Sequence, residues 1–256
     1  MNFKAMRAAA ACLLACPFAA FASQPLDIRI YDRTAGEVLP VYWHDGERHV
    51  AGEPGHEYEI QLENRGGGRV LAVTSVDGVN VITGQTAALL GSGYVLDPWS
   101  RVGIDGWRKS MEQVAAFYFT ALPDSYAART GRPENVGVIG VALFREVERQ
   151  AYLDEAEARR AEVPAPAAAA AESNAAQDAG GVGKMNSRLG TGHGRRVDSG
   201  ARYTEFERAS DTPDEVIRIY YDSRRNLVAR GIIPPPPHRM AERRPDPFPA
   251  GFVPDP

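Results

Sequence analysis

The chain reads RVLAVTSVDGVNVITG over residues 69–84, and this stretch decides the fold. Two runs rich in β-branched residues flank Asp77 and Gly78. Asp-Gly between apolar runs is typical of a type I′ β-hairpin, because that turn needs a positive φ at both central residues. A two-residue turn pairs Val76 with Val79 and leaves apolar side chains on both faces, so we expect the hairpin deep in a sheet. The side chains that we expect to be buried are those of Val73, Val76, Val81 and Ile82.

The sequence on either side of the hairpin also favours strands. Residues 56–64 alternate between apolar and charged side chains, which indicates a half-buried strand. Residues 136–144 read VGVIGVALF, which indicates a central strand. Short strands with turn signals every eight to twelve residues are typical of an antiparallel β-sandwich. We predict a mainly β protein whose sandwich domain spans residues 25–147.

The pattern changes after this domain. Residues 148–162 are rich in Glu and Arg at helical spacing and predict a charged helix. Residues 163–200 form a predicted Ala/Pro/Gly-rich linker that ends in a Gly-rich loop. Residues 201–233 predict a small C-terminal β-hairpin element, which is too small to be stable alone and docks on the sandwich or on another chain. Residues 234–256 are Pro-rich and predict a disordered tail.

The first 22 residues have the pattern of a secretory signal peptide. Two basic residues precede an apolar stretch that is too short to span a bilayer, and a small-x-small cleavage site ends at Ala22. We therefore expect a periplasmic or secreted protein without an integral membrane segment after cleavage. The sequence LLAC ending at Cys16 resembles a lipoprotein box. Anchoring through a lipidated Cys16 is the alternative.

Composition excludes several classes of function. Both cysteines, Cys12 and Cys16, lie in the signal, so the mature chain has no disulfide, thiol nucleophile or cysteine metal site. Lys4 and Arg7 leave with the signal, and the remaining 27 basic and 33 acidic residues give a net charge near −6. This balance argues against a nucleic-acid binder, which would have an excess of basic residues.

Aromatic residues beside predicted turns are candidates for ligand binding. Trp99 lies in the turn after Tyr94, and Trp107 and Arg108 follow the next turn signal. Aromatic rings beside polar groups on the rim of a sandwich stack on sugars or anchor a protein partner. Such residues more often plug the end of the core.

Residues 190–196 read GTGHGRR and form a second candidate. Glycines around a basic pair suit a loop that contacts an anion, with His193 and Arg195 as its ligand-binding residues. The stretch does not match a dinucleotide fingerprint, because no predicted strand precedes it and no helix follows it. The composition is also typical of a mobile loop that lets the C-terminal element find its place.

Signals for catalysis and for metal binding are weak. The motif G-x-S-x-G is absent, and no two carboxylates can be placed about a common point. His44, His49 and His56 come close together only if a hairpin forms at residues 45–48, so a metal-binding protein is the weakest alternative. We expect no cofactor, no metal and no catalysis.

Several phrases of the sequence resemble a set of exported proteins of proteobacteria that have no known function. They include GYVLDPW at residues 93–99, GVIGVALFRE at residues 137–146 and the stretch at residues 190–196. The resemblance covers most of the mature chain outside the linker and the tail. It implies export, and it carries no catalytic or binding residues.

The sequence therefore predicts an exported cell-envelope protein with a binding or structural role and a protein or glycan partner. The alternative is a glycan-binding or glycan-active envelope protein that uses Trp99 and Trp107.

Overall fold

The computed structural model describes residues 26–147 and 188–235. These residues form fourteen strands and two short α-helices, besides two 3-10 turns. In chain order the strands are β1 (Leu26–Asp32), β2 (Glu37–Val38), β3 (Val41–His44), β4 (Glu47–Gly52), β5 (Glu57–Asn64), β6 (Val70–Val76), β7 (Val79–Asn80), β8 (Tyr94–Leu96), β9 (Arg101–Ile104), β10 (Gly106–Arg108), β11 (Gln113–Ala121), β12 (Val138–Arg145), β13 (Leu189–Asp198) and β14 (Glu215–Ser223). The helices are α1 (Tyr126–Arg129) and α2 (Arg224–Ala229).

The strands form two sheets, which confirms the predicted β-sandwich class. The front sheet has the order β2-β1-β5-β11-β13. The chain bends at Asp105, so β9 pairs with β5 while β10 pairs with β11. The back sheet has the order β3-β4-β14-β12-β6, with β7 and β8 both paired to β6. Strands β4 and β14 are parallel, and the other neighbours in both sheets are antiparallel.

The predicted hairpin lies deep in the back sheet. Asp77 and Gly78 have φ values of 54° and 73°, as a type I′ turn requires, and Val76 pairs with Val79. Val73, Val76 and Val81 are buried, whereas Ile82 is only half-buried. The reason is that the side-chain oxygen of Asn80 accepts hydrogen bonds from the backbone N–H groups of residues 82 and 83, which turns the chain out of the sheet.

The main core fills the space between the two sheets. Its centre is a stack of aromatic rings, in which Tyr58 lies 5.3 Å from Phe117 and 4.3 Å from Phe119 between ring centroids. Two smaller apolar clusters lie outside this core. In one of them Phe206 packs against Leu71 and its neighbours on the outer face of the back sheet.

The C-terminal part of the chain belongs to both sheets, which corrects its prediction as a loop followed by a docked hairpin. The stretch at residues 190–196 belongs to strand β13, which pairs with β11 from Leu189 to Asp198 except at a bulge at residues 194–195. Its glycines allow this close approach, since a side chain at Gly192 would collide with the ring of Tyr118. Strand β14 lies between β4 and β12. The sandwich is therefore not complete within residues 25–147.

Two smaller predictions also differ from the structure. Residues 224–229, which lie within the predicted C-terminal β-hairpin element, form α2 instead, because the hydroxyl of Ser223 caps a helix by accepting from the backbone N–H of Asn226 at 3.3 Å. The alternating residues 203–207 form no strand. The predicted signal peptide, the charged helix at 148–162, residues 163–187 of the predicted linker and residues 236–256 of the predicted tail lie outside the described residues. No helix within the described part of the chain is long and apolar enough to cross a membrane.

Candidate functional site

A groove of about 780 Å³ opens between β8 of the back sheet and the β9–β10 strand of the front sheet. Residues 199–214 connect β13 to β14. The first part of this connection, residues 199–208, forms the outer wall of the groove. We call this connection the crossover segment and the space beneath it the crossover groove. The groove thus lies where the two sheets meet, and residues far apart in the sequence line it.

Arg108 fastens the start of the crossover segment. Its guanidinium donates hydrogen bonds to the backbone carbonyl of Ser199 and, at 2.9 Å, to the hydroxyl of Tyr94. The backbone N–H groups of Ser199 and Ala201 donate to the carbonyls of Glu112 and Met111, each at 2.7 Å. In the part of the chain that the structure describes, every oxygen that accepts a hydrogen bond from Arg108 is neutral.

Arg69 fastens the middle of the same segment. It forms ion pairs with Glu146 and, at 3.5 Å, with Asp97. It also donates to the hydroxyl of Thr204 and to a backbone carbonyl of the segment, both at 3.1 Å, and it lies over the ring of Phe206. Because Phe206 packs on the back sheet, Arg69 and this ring together hold the outer wall in place.

Positive charge dominates the lining of the groove. The cationic lining residues are Arg69, Arg108, Lys109, Arg202 and Arg208, and the acidic one is Asp97. Arg69 neutralises Asp97, whereas the guanidinium of Arg208 donates to the backbone carbonyl of Gly91 at 2.8 Å and lies over the ring of Phe144. The groove therefore has an excess of positive charge on a chain whose net charge is −4.

Apolar and hydroxyl groups complete the lining. The apolar side chains are those of Leu71, Ile82, Val95, Val102, Met111, Ala201 and Phe206, and the hydroxyl groups belong to Ser92, Tyr94, Ser110, Ser199, Tyr203 and Thr204. Tyr203 stands on the outer wall with 91% of its surface exposed. An exposed tyrosine beside unneutralised cations favours binding over packing as its role.

The predicted rim residues separate into two groups. Tyr94 and Arg108 line the groove together, as their hydrogen bond shows. Trp99 is 72% exposed in the turn after β8, whereas Trp107 is buried and packs against Phe117 and Tyr126. Successive residues of a strand point to opposite faces, so Trp107 points into the core where Arg108 points out. The predicted pair of surface tryptophans is not present.

His193 and Arg195 lie on β13 and do not line the groove. Arg195 forms a bidentate ion pair with Glu57 at 2.8 and 2.9 Å. His193 is half-buried, with its ring 5.6 Å from that of Tyr126. Burial lowers the pKa of His193, and the positive charges of Lys109, Arg129 and Arg196 lower it further. The pair does not form the predicted anion loop, because the stretch is a strand.

The three histidines considered for metal binding do not converge. His44 and His49 lie edge to face on the β3–β4 hairpin, with 6.4 Å between ring centroids. His56 instead bonds to Asp32 at 2.7 Å in the front sheet. Within residues 26–147 and 188–235, no group of three His, Asp or Glu side chains is placed to hold a metal ion.

A buried polar centre at the hairpin turn was not predicted. The carboxylate of Asp77 accepts from the backbone N–H groups of Gly137 and Thr191, both at 2.8 Å, and from the hydroxyl of Tyr221. The hydroxyl of Thr191 bonds to those of Tyr58 and Tyr221 at 2.7 Å each. Burial raises the pKa of Asp77 to about 6. The centre is enclosed on all sides, so it joins the two sheets rather than offering a surface to a ligand.

Comparisons with known proteins do not identify the ligand of the crossover groove. The chain matches no family model, no curated protein and no solved structure. The lining of the groove is accordingly the basis on which a function is proposed.

Proposed function

We propose that the protein is an exported, non-catalytic binding protein of the cell envelope that holds an anionic ligand in the crossover groove. One observation carries the proposal: the guanidinium of Arg108 faces the groove, and within residues 26–147 and 188–235 its hydrogen-bond partners are neutral oxygens. A carboxylate or sulfonate oxygen accepts a stronger, charge-assisted hydrogen bond than a carbonyl or a phenol does. An anion that enters the groove therefore gives Arg108 a charged hydrogen-bond acceptor, which its neutral partners in the described chain are not.

Arg108 is also held ready for such a ligand. Tyr94 and the carbonyl of Ser199 fix two edges of its guanidinium, and the ring of Tyr94 lies 5.7 Å below it. A cation that is already held in place loses less conformational entropy on binding than a free side chain does. Lys109 and Arg202, which are exposed, add positive charge to the lining of the groove.

The apolar part of the lining indicates that the ligand is more than a simple ion. Leu71, Val95 and Phe206 form a floor between the cations. A ligand with apolar surface beside its charge covers this floor and removes it from water, which contributes about 25 cal/mol per Å² of apolar surface.

Export rests on the first 22 residues of the sequence. Mass spectrometry of the protein purified from whole cells tests it: a chain that begins at Ser23 is expected, and a chain that retains Met1 contradicts export.

Fluorescence titration with 8-anilinonaphthalene-1-sulfonate, an amphipathic anion, tests the groove. We expect saturable binding to the folded protein, and Arg108→Gln should weaken it about tenfold or more, because a hydrogen bond between charged groups contributes ~1.5–3 kcal/mol. The uncharged analogue N-phenyl-1-naphthylamine should bind both proteins equally. Arg225→Gln, which removes an exposed arginine from α2, is the matched control and should change neither affinity.

Salt provides a second measurement that does not depend on the folding of the variant. Raising ionic strength from about 0.05 to about 0.5 M should weaken binding of the sulfonate to the unaltered protein and leave the uncharged analogue unaffected. Equal affinity of the folded Arg108→Gln variant for the sulfonate, or binding of the sulfonate that is insensitive to salt, would contradict the proposal.

A further inference from the structure

We propose that the ligand of the crossover groove is a fatty acid, whose carboxylate binds Arg108 and whose alkyl chain lies on the apolar floor beneath the crossover segment. This inference rests on the proposed function, since it names the chemical class of ligand for the same groove.

The guanidinium of Arg108 suits a single carboxylate. Three of its hydrogen bonds are long: from Nε to the hydroxyl of Tyr94 at 3.3 Å, to the carbonyl of Ser110 at 3.4 Å and to the hydroxyl of Ser199 at 3.5 Å. Bonds of this length are weaker than those in the usual range below about 3.2 Å, so a ligand oxygen replaces them at little cost. A carboxylate accepts two parallel bonds from a guanidinium, and both are strengthened by charge.

Apolar surface begins beside this guanidinium and continues over the back sheet. Tyr94, whose hydroxyl accepts from Arg108, is followed on β8 by Val95. Val95 pairs with Leu71 of β6, and Phe206 of the crossover segment packs against the same cluster. A ligand that is held by Arg108 therefore has the apolar floor next to its charged group.

The apolar lining is open to a ligand. Most of its side chains are only half-buried, namely those of Ile82, Val95, Val102, Met111, Ala201 and Phe206. The groove has a volume of about 780 Å³, which exceeds what one carboxylate occupies and lies within the range of about 300–1,000 Å³ of small-molecule sites. An alkyl chain attached to the carboxylate fills this volume and removes the apolar side chains from water.

The hydroxyl groups of the lining favour an alkyl chain over a sugar or a peptide, because several of them are already bonded within the protein. The hydroxyl of Tyr94 accepts from Arg108 at 2.9 Å, and that of Thr204 accepts from Arg69 at 3.1 Å. The hydroxyl of Ser110 donates to a neighbouring carboxylate at 2.9 Å. A ligand rich in polar groups would lose its bonds with water and find these partners occupied, whereas an alkyl chain needs no hydrogen bonds.

Isothermal titration of the full chain with straight-chain carboxylates, from hexanoate to dodecanoate, tests the inference. Each acid is used below the concentration at which it forms micelles. We expect the affinity to rise about two- to fourfold with each added methylene, because a fully buried methylene contributes ~0.8 kcal/mol, which is a factor of about four. The straight-chain alcohols of the same lengths should show a similar rise but bind about tenfold or more weakly, since they lack the charge that Arg108 binds.

Two variants separate the charged group from the chain. Arg108→Gln should weaken the binding of every acid by a similar factor and affect the alcohols much less. Phe206→Ser should keep most of the affinity for hexanoate and lose much of the gain with length, because it removes a ring from the floor. The Arg225→Gln control should behave like the unaltered protein. The comparison of acids with alcohols uses the unaltered protein and so does not depend on the folding of a variant.

Gluconate tests the chain directly, because it has the chain length of hexanoate but carries hydroxyl groups along it. Binding of gluconate as tight as that of hexanoate, or affinity for the acids that does not rise with length, overturns the fatty acid and leaves the groove as an anion site. Equal binding of acids and alcohols overturns the role of Arg108. No binding of any acid, with the aromatic sulfonate still bound through Arg108, overturns the ligand class alone. Loss of both contradicts the proposed function as well.

Discussion

Asp77 is a residue whose acid–base chemistry the fold alters strongly. Its side chain is buried, and two backbone N–H groups and the hydroxyl of Tyr221 donate to it. These donors favour the charged form, but burial outweighs them and raises the pKa to about 6. Since this value exceeds the ordinary value of 3.8, the folded state binds the proton more tightly than the unfolded state does.

This difference predicts how stability depends on pH. The contribution of Asp77 to the unfolding free energy is fully present below about pH 4. It is lost as the pH rises through about 6, and the loss amounts to about 3 kcal/mol. The unfolding free energy of the unaltered protein should therefore fall relative to that of Asp77→Asn as the pH rises from 4 to 7. Urea unfolding of both proteins across this range provides the measurement. A difference that is constant or grows with pH would show that Asp77 is not held as the structure indicates.

The burial of some individual residues could be predicted from the sequence, whereas the orientation of others could not. Alternation correctly predicted burial of Val73, Val76 and Val81, because a hairpin fixes its own register over a few residues. It did not predict that Trp107 points inward and Arg108 outward, because β10 has only three residues and its orientation depends on its pairing with β11. Asp77 carried no distinguishing signal either, since Asp is the usual residue at its turn position.

The element that completes the fold is β14. It lies between β4 and β12 and contributes Ile217, Ile219 and Tyr221 to the main core. Without it, the β3–β4 hairpin has no partner strand in the back sheet among the described residues, and Asp77 loses the hydroxyl of Tyr221.

We therefore expect that residues 26–147 produced alone do not fold cooperatively. Far-ultraviolet circular dichroism and urea unfolding test this, and addition of a peptide of residues 188–235 should restore a cooperative transition. The chain of residues 26–235 is the matched control. A cooperative transition of the shorter fragment alone would restore the predicted domain of residues 25–147 as an independent unit.

At the scale of the whole molecule, the site is a product of long-range pairing. Arg108 and Ser199 are 91 residues apart, and Asp77 and Tyr221 are 144 apart. The β-sandwich class was predictable, because strand periodicity and turns are local signals. The crossover groove was not, because it exists only after β13 and β14 join different sheets. Of the predicted ligand-binding residues, Tyr94 and Arg108 line it together.

The central claim is that an anion binds beside Arg108 beneath the crossover segment. A nuclear magnetic resonance titration of the ¹⁵N-labelled protein with 8-anilinonaphthalene-1-sulfonate tests it most directly. The largest shift changes are expected at the backbone amides of Tyr94, Ser199 and Tyr203 and at the side-chain Nε–H of Arg108. Signals of Arg225 and Leu227 on α2, which do not line the groove, should not move. Saturable binding with the largest changes outside the crossover groove would contradict the account.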